Sequence, residues 1–205
     1  MAGKTVAAGE VLKVLERDRF YWGGRGGVTF SGGEPLQQPV FLRLLLEACR
    51  LAQIHTAVET SGQCAGDTLA GVLPWIDWLF FDIKHLDGDA HRLGTGMDNR
   101  QILENLEAVR RSGWPGRLMI RLTVVPGFND SGGHLRRLAA FLGDLGIKEI
   151  NLLPLHRLGQ SKYRQLGLED RSAGIAPPTA RQMDQAAAVF LSHGLQCHVG
   201  SNTPF

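Results

Sequence analysis

Five times along this chain a short β-rich run is followed by a segment of helical period, and a sixth run closes the series. The runs are Gly27–Ser31, His55–Ser61, Trp78–Lys84, Leu118–Val125, Glu149–Leu155 and Leu195–Val199. The helical segments after them are Gln38–Gln53, Asp67–Leu73, Asn99–Ser112, Ser131–Leu145 and Thr179–His193. Val6–Arg17 precedes the first run as a further helix, with Thr5 placed to cap it. Alternation of this kind predicts an α/β fold, a parallel sheet covered by helices. The length suits one domain over 1–205.

A closed or partly closed barrel and an open doubly wound sheet share that order of elements. The positions of the polar residues separate them. Ser31, Gly32, Gly33 and Glu34 follow the first run, Glu59 and Thr60 end the second, Asp82 and Lys84 end the third, and His156 follows the fifth. Barrel enzymes build their sites at the C-terminal ends of many strands, whereas an open sheet gathers them at one crevice. The expectation is a partial (β/α) barrel of about five barrel strands plus a C-terminal strand.

Period two sharpens this expectation. In Phe80-Phe81-Asp82-Ile83-Lys84, residues 80, 82 and 84 share a face, which aims Asp82 and Lys84 together. Arg121 and Thr123 alternate in the same way with Ile120 and Leu122. Charged groups aimed into a barrel are costly without partners, so structural ion pairs or a ligand-binding mouth explain them.

A formal net charge of +2 offers no field for a nucleic acid, and the basic residues are scattered over helices. No apolar run reaches the ~18 residues of a membrane span, and the start does not read as a signal peptide. A cytoplasmic location is expected. Cys49, Cys64 and Cys197 match no metal, redox or cluster spacing and read as isolated small thiols, Cys49 on an outer helix face.

The most specific segment is Thr29-Phe30-Ser31-Gly32-Gly33-Glu34-Pro35. Two glycines after a strand let a ligand approach the backbone closely. Glu34 adds a negative charge suited to an ammonium group, and Pro35 starts the next helix. No Gly-Lys-Ser/Thr follows, so this is not a P-loop.

The longer string from Gly26 to Leu36 resembles the signature of the radical S-adenosylmethionine (SAM) enzymes that activate glycyl-radical enzymes, of the pyruvate formate-lyase activating type. Further blocks resemble the same family in the same order: His55 to Gly62, Asp82-Ile83-Lys84, Ile120-Arg121 with Val124 to Asp130, and Asn151 to Gly159 with Lys162-Tyr163. The resemblance implies that Ser31, Gly32, Gly33 and Glu34 hold the SAM amino group. It implies that Asp82 and Lys84 sit beside the methionine carboxylate, that Arg121 helps place the radical, and that His156 lies along the adenosine. Lys84 and Arg121 are the catalytic candidates. Glu59 and Thr60 stand where one branch of the family lines a small cation site with Asp-Thr. No metal ligand is assigned.

The family carries a [4Fe–4S] cluster on Cys-x-x-x-Cys-x-x-Cys, after a first strand. Neither that strand nor that motif occurs in this sequence. The implied function is reductive cleavage of SAM to a 5′-deoxyadenosyl radical, which takes hydrogen from a glycine of a partner enzyme. Flavodoxin or ferredoxin is the implied reductant, and the isolated chain is expected to lack the activity. Two alternatives are a non-catalytic SAM-binding or docking fragment, and an aldolase using Lys84 as a Schiff-base lysine.

Overall fold

The computed structural model describes residues 4–22, 26–156, 167 and 174–201. Among these are seven α-helices and six strands. In chain order they are α1 (Ala8–Trp22), β1 (Gly27–Phe30), α2 (Pro39–Leu51), β2 (His55–Thr60), α3 (Gly66–Val72) and β3 (Trp78–Asp82). Then follow α4 (Gly88–Thr95), α5 (Arg100–Arg111), β4 (Arg117–Val124), α6 (Gly132–Asp144), β5 (Glu149–Pro154), α7 (Ala180–Ser192) and β6 (Gln196–Val199). The strands lie in one six-stranded sheet in chain order. Every expected strand is present, with ends within two residues of those read from the sequence.

Two helices differ from expectation. Helix α1 begins at Ala8, not Val6, and its entry is satisfied by Glu10, whose carboxylate accepts from the Ala7 amide at 3.0 Å. Thr5 is therefore not its cap. Past Gly9 in its first turn, the helix runs on to Trp22 with no glycine or proline between Glu10 and Trp22. Helix α4 has too few apolar residues to show a period. It is held at its ends, where Asp87 accepts from the Ala90 amide at 2.8 Å and Gly96 closes it at φ 89°.

Contacts divide the chain into two compact units. One comprises Val6–Ile83 and Asp87–Ile120. Here β1 pairs with β2 and β2 with β3, both parallel. Alternation sorts the side chains. Val28 and Phe30 pack with α1 and α2 around Leu15, Cys49 and Ile54, while Ala57, Phe80 and Met119 cluster with Trp78 on the other side of the strands. The expected place of Cys49 on an outer helix face is corrected: its exposure is 0%, because position 49 falls on the inward stripe of α2 with Leu42, Leu45 and Leu46.

The other unit comprises Met1–Thr5, Lys84–Leu86 and Arg121–Phe205. In it β5 pairs parallel with β6. Helices α6 and α7 contribute the buried Leu138, Leu142 and Phe190, and β5 contributes Ile150 and Leu152. Asn151, fully buried on β5, donates to the carbonyl of Gly200 at 3.1 Å. Among the described residues no helix is long and apolar enough to cross a membrane.

Candidate functional site

Past the end of β1 the chain opens. Ser31, Gly32 and Gly33 are exposed, and Gly32 takes φ 125°, a conformation that disfavours any side chain. A methyl group built on Gly32 or Gly33 would meet nothing within 4 Å, so the backbone here stands clear of the protein. Glu34 ends this stretch in extended conformation and is half-buried. One carboxylate oxygen accepts from the Leu36 amide at 3.1 Å and the Thr60 hydroxyl at 2.7 Å. The other accepts from the Ser61 amide at 2.9 Å and the Ser61 hydroxyl at 2.6 Å. Four donors thus hold one carboxylate, and Leu36, 2% exposed, anchors the short 3₁₀ turn that follows.

The end of β2 supplies three of those donors. The turn after it needs Gly62, which sits at φ 71° with its α-carbon so close to the Phe81 ring that any β-carbon would collide with it. Asn105 of α5 closes the turn from behind, donating to the carbonyls of Gly62 and Cys64 at 2.8 and 2.9 Å. Glu59 is half-buried on the Ala57 side of β2 and is level with Phe80 of β3. Asp82, also half-buried, ends β3 two residues further along the Phe80 side.

Lys84, Arg121 and His156 belong to the second unit. Lys84 is half-buried, and its carbonyl accepts from Asn129 Nδ2 at 2.9 Å. The same amide donates to the Thr123 carbonyl at 2.8 Å, while its oxygen accepts from the Val125 amide at 2.8 Å. Asn129, 1% exposed, therefore ties the backbone of Lys84 to the end of β4. Arg121, half-buried on that strand, alternates with the fully buried Ile120 and Leu122. His156 is exposed just beyond β5, where the Leu155 amide donates to the Val124 carbonyl at 3.2 Å.

Next to Lys84, His85 stacks on His134 of α6 with ring centroids 4.0 Å apart. His134 is 2% exposed, and neither ring nitrogen has a hydrogen-bond partner. Burial, then the neighbouring His85 and Arg137, push its pKa down to about 4.

The structure thus joins Glu34 directly to Thr60 and sets Glu59 and Asp82 on one face of adjacent strands. It also ties Lys84 to the strand carrying Arg121. Three residues have a part here that the sequence did not assign them: Ser61 and Asn129, which stand inside the resembling blocks, and Asn105. Asn105 was visible as a polar residue on the apolar stripe Ile102, Leu106, Val109. Ser61 carried no such signal, because its role depends on where Glu34 arrives. Arg157, Leu158, Gly159, Lys162 and Tyr163 lie outside the described residues.

The thiols do not form a cluster-binding set. Burial pushes Cys49 and Cys197 up to about 11, and burial followed by the charge of Glu34 also raises Cys64. Thiolate is the ligand form, and burial works against it at each of the three. Among the described residues no three His, Cys, Asp or Glu could hold a metal ion.

A βα array with an open Gly-Gly-Glu turn at the end of its first strand defines a class, and the chain belongs to it: residues 2–139 match the model of the radical SAM superfamily. Proteins of that superfamily use SAM and a [4Fe–4S] cluster. Over 202 residues the chain is 40% identical to the 4-hydroxyphenylacetate decarboxylase activating enzyme of Clostridium scatologenes, covering 98% of this chain and 65% of that one. Over 180 residues it is 44% identical to the isethionate sulfite-lyase activating enzyme of Nitratidesulfovibrio vulgaris, covering 87% and 56%. A crystallised domain of pyruvate-formate lyase-activating enzyme from Bacteroides vulgatus superposes with a TM-score of 0.70 at 29% identity, covering 86% of this chain and 99% of that one. The fold class is that of a partial radical SAM barrel. The chain spans less than two thirds of the length of these curated relatives.

Proposed function

We propose that this chain is the SAM-binding part of a glycyl-radical-enzyme activating protein. The observation that carries the reading is the exposed Gly32-Gly33 backbone, held at the end of β1 by a carboxylate clamped to the end of β2. In this reading Ser31, Gly32, Gly33 and Glu34 receive the amino group of SAM, with Glu34 supplying charge and the turn supplying carbonyl acceptors. Asp82 and Lys84 take the carboxylate end, Lys84 as its charge partner. Arg121 orients the cofactor, His156 flanks the adenosine, and Glu59 and Thr60 are further cofactor-binding residues. No cation is assigned to Glu59.

When bound, SAM would supply the sulfonium chemistry, a reductive cleavage that furnishes a radical able to take hydrogen from a glycine of a partner. The chain's own residues bind, orient and exclude water. Its three cysteines do not fit the cluster. A flavodoxin or ferredoxin supplies the electron, and the activity is cytoplasmic.

Calorimetry with SAM tests the binding half of the proposal. The chain binds SAM, and Lys84→Ala weakens it at least tenfold. A folded chain that gives no heat at millimolar SAM refutes the assignment. Anaerobic incubation with iron, sulfide and dithionite tests the other half: the isolated chain releases no 5′-deoxyadenosine. Release would show that its own thiols suffice.

A further inference from the structure

A buried amide side chain costs free energy unless its donors and acceptor are matched. Asn105, 2% exposed, is matched throughout. Its Nδ2 donates to the carbonyls of Gly62 and Cys64, and its Oδ1 accepts from Gln101 Nε2 at 3.3 Å. The two carbonyls flank Gln63, and the Cys64 amide donates back to the Gly62 carbonyl at 3.0 Å. One side-chain amide therefore holds the whole turn after β2.

From that turn the bonds lead on without a gap. The Gly62 amide donates to the Thr60 hydroxyl at 2.9 Å. A hydroxyl has one proton to give, and with Gly62 already donating, the Thr60 proton is directed to Glu34 at 2.7 Å. The Ser61 hydroxyl is set in the same way: it accepts from the Gln63 amide at 3.4 Å and donates to Glu34. Glu34 in turn accepts from the Leu36 amide, which places the exposed glycines just before it.

We propose that Asn105 is a positioning residue for the Gly32-Gly33 turn. It sets the turn after β2, the turn sets the Thr60 and Ser61 donors, and those donors make Glu34 a brace for the glycines. Four protein donors hold the carboxylate, so it acts on a ligand at this end through its charge while the freed backbone offers the open carbonyl acceptors. The importance of that turn for a ligand rests on the SAM-binding reading above; the brace itself does not.

Amide hydrogen exchange followed by NMR on the 205-residue chain tests the proposal without any ligand. Asn105→Ala should speed exchange at least tenfold at Leu36, Ser61 and Gly62, while Leu79, Phe80 and Phe81 of β3 change less than twofold. Uniform acceleration, or an unchanged Leu36, would reduce Asn105 to a packing residue and overturn the proposal. Should Asn105→Ala not fold, the unaltered chain decides. Exchange at Leu36, Ser61 and Gly62 should then share one dependence on urea, and three separate dependences refute the brace. Calorimetry with SAM on the same samples keeps the two readings apart. Linked exchange with no SAM binding by the unaltered chain supports the brace and sinks the binding assignment.

Discussion

Glu34 and His134 are both polar groups drawn away from water, and the protein treats them in opposite ways. Glu34 receives four donors from three other residues, Leu36, Thr60 and Ser61. His134 is more deeply buried, is stacked on His85, and has no hydrogen bond to either ring nitrogen. A matched carboxylate keeps a charge in place and makes a turn rigid, whereas an unmatched imidazole is tolerable only while neutral. Geometry at the first region and pH at the second are therefore what stability should follow.

The largest effect is expected where the Glu34 region has no slack. Gly62→Ala adds a β-carbon at positive φ against the buried Phe81 ring, and the two penalties together amount to about 4 kcal/mol. Urea denaturation measures it; a loss below about 1 kcal/mol would mean the turn can move and the contrast is overdrawn.

Next comes the pH response of His134. Its folded pKa of about 4 lies below the ordinary 6.5, so between those values the unfolded chain binds more protons than the folded one. Stability is complete above pH 6.5 and falls as the pH drops toward 4, by about 3 kcal/mol over that range. His134→Leu should remove most of this slope. The difference in urea midpoint between pH 7 and pH 4.5, wild type against variant, measures it. Identical slopes would show that His134 is not the group titrating.

Glu34→Gln keeps the shape but turns one acceptor into a donor facing amides or hydroxyls, and should cost about 2 kcal/mol in urea denaturation. A neutral outcome would mean the clamp tolerates mismatch as the His134 site does. The smallest effect is expected at the entry of α4. Asp87→Ala removes the cap of α4 and should cost about 1 kcal/mol by thermal melting, with no change in SAM binding.

Much of the fold was legible because the strands announce themselves. Leu79 and Phe81 alternate with Phe80 and Asp82, and the strand this predicts is β3, which ends at Asp82. The start of α1 and the existence of α4 were not legible, since each depends on a side-chain cap rather than on a period. Thr5 has the right chemistry for a cap, but Glu10 took that role. In the candidate site, Glu34 and Thr60 could be named from the chain, yet their direct bond could not. They are 26 residues apart, and β1 and β2 must first pair in register.

By itself the sequence determined the order of strands and helices, the Gly-Gly-Glu turn and the family, because periodicity, glycine freedom and motif spacing are local properties of a chain. Only the tertiary structure decided that Cys49 is core, that Glu34 is a clamped acceptor and that Asn105 stands behind it. Hydrogen-bond partners and burial are set by residues distant in sequence, and they exist only once the sheet has assembled.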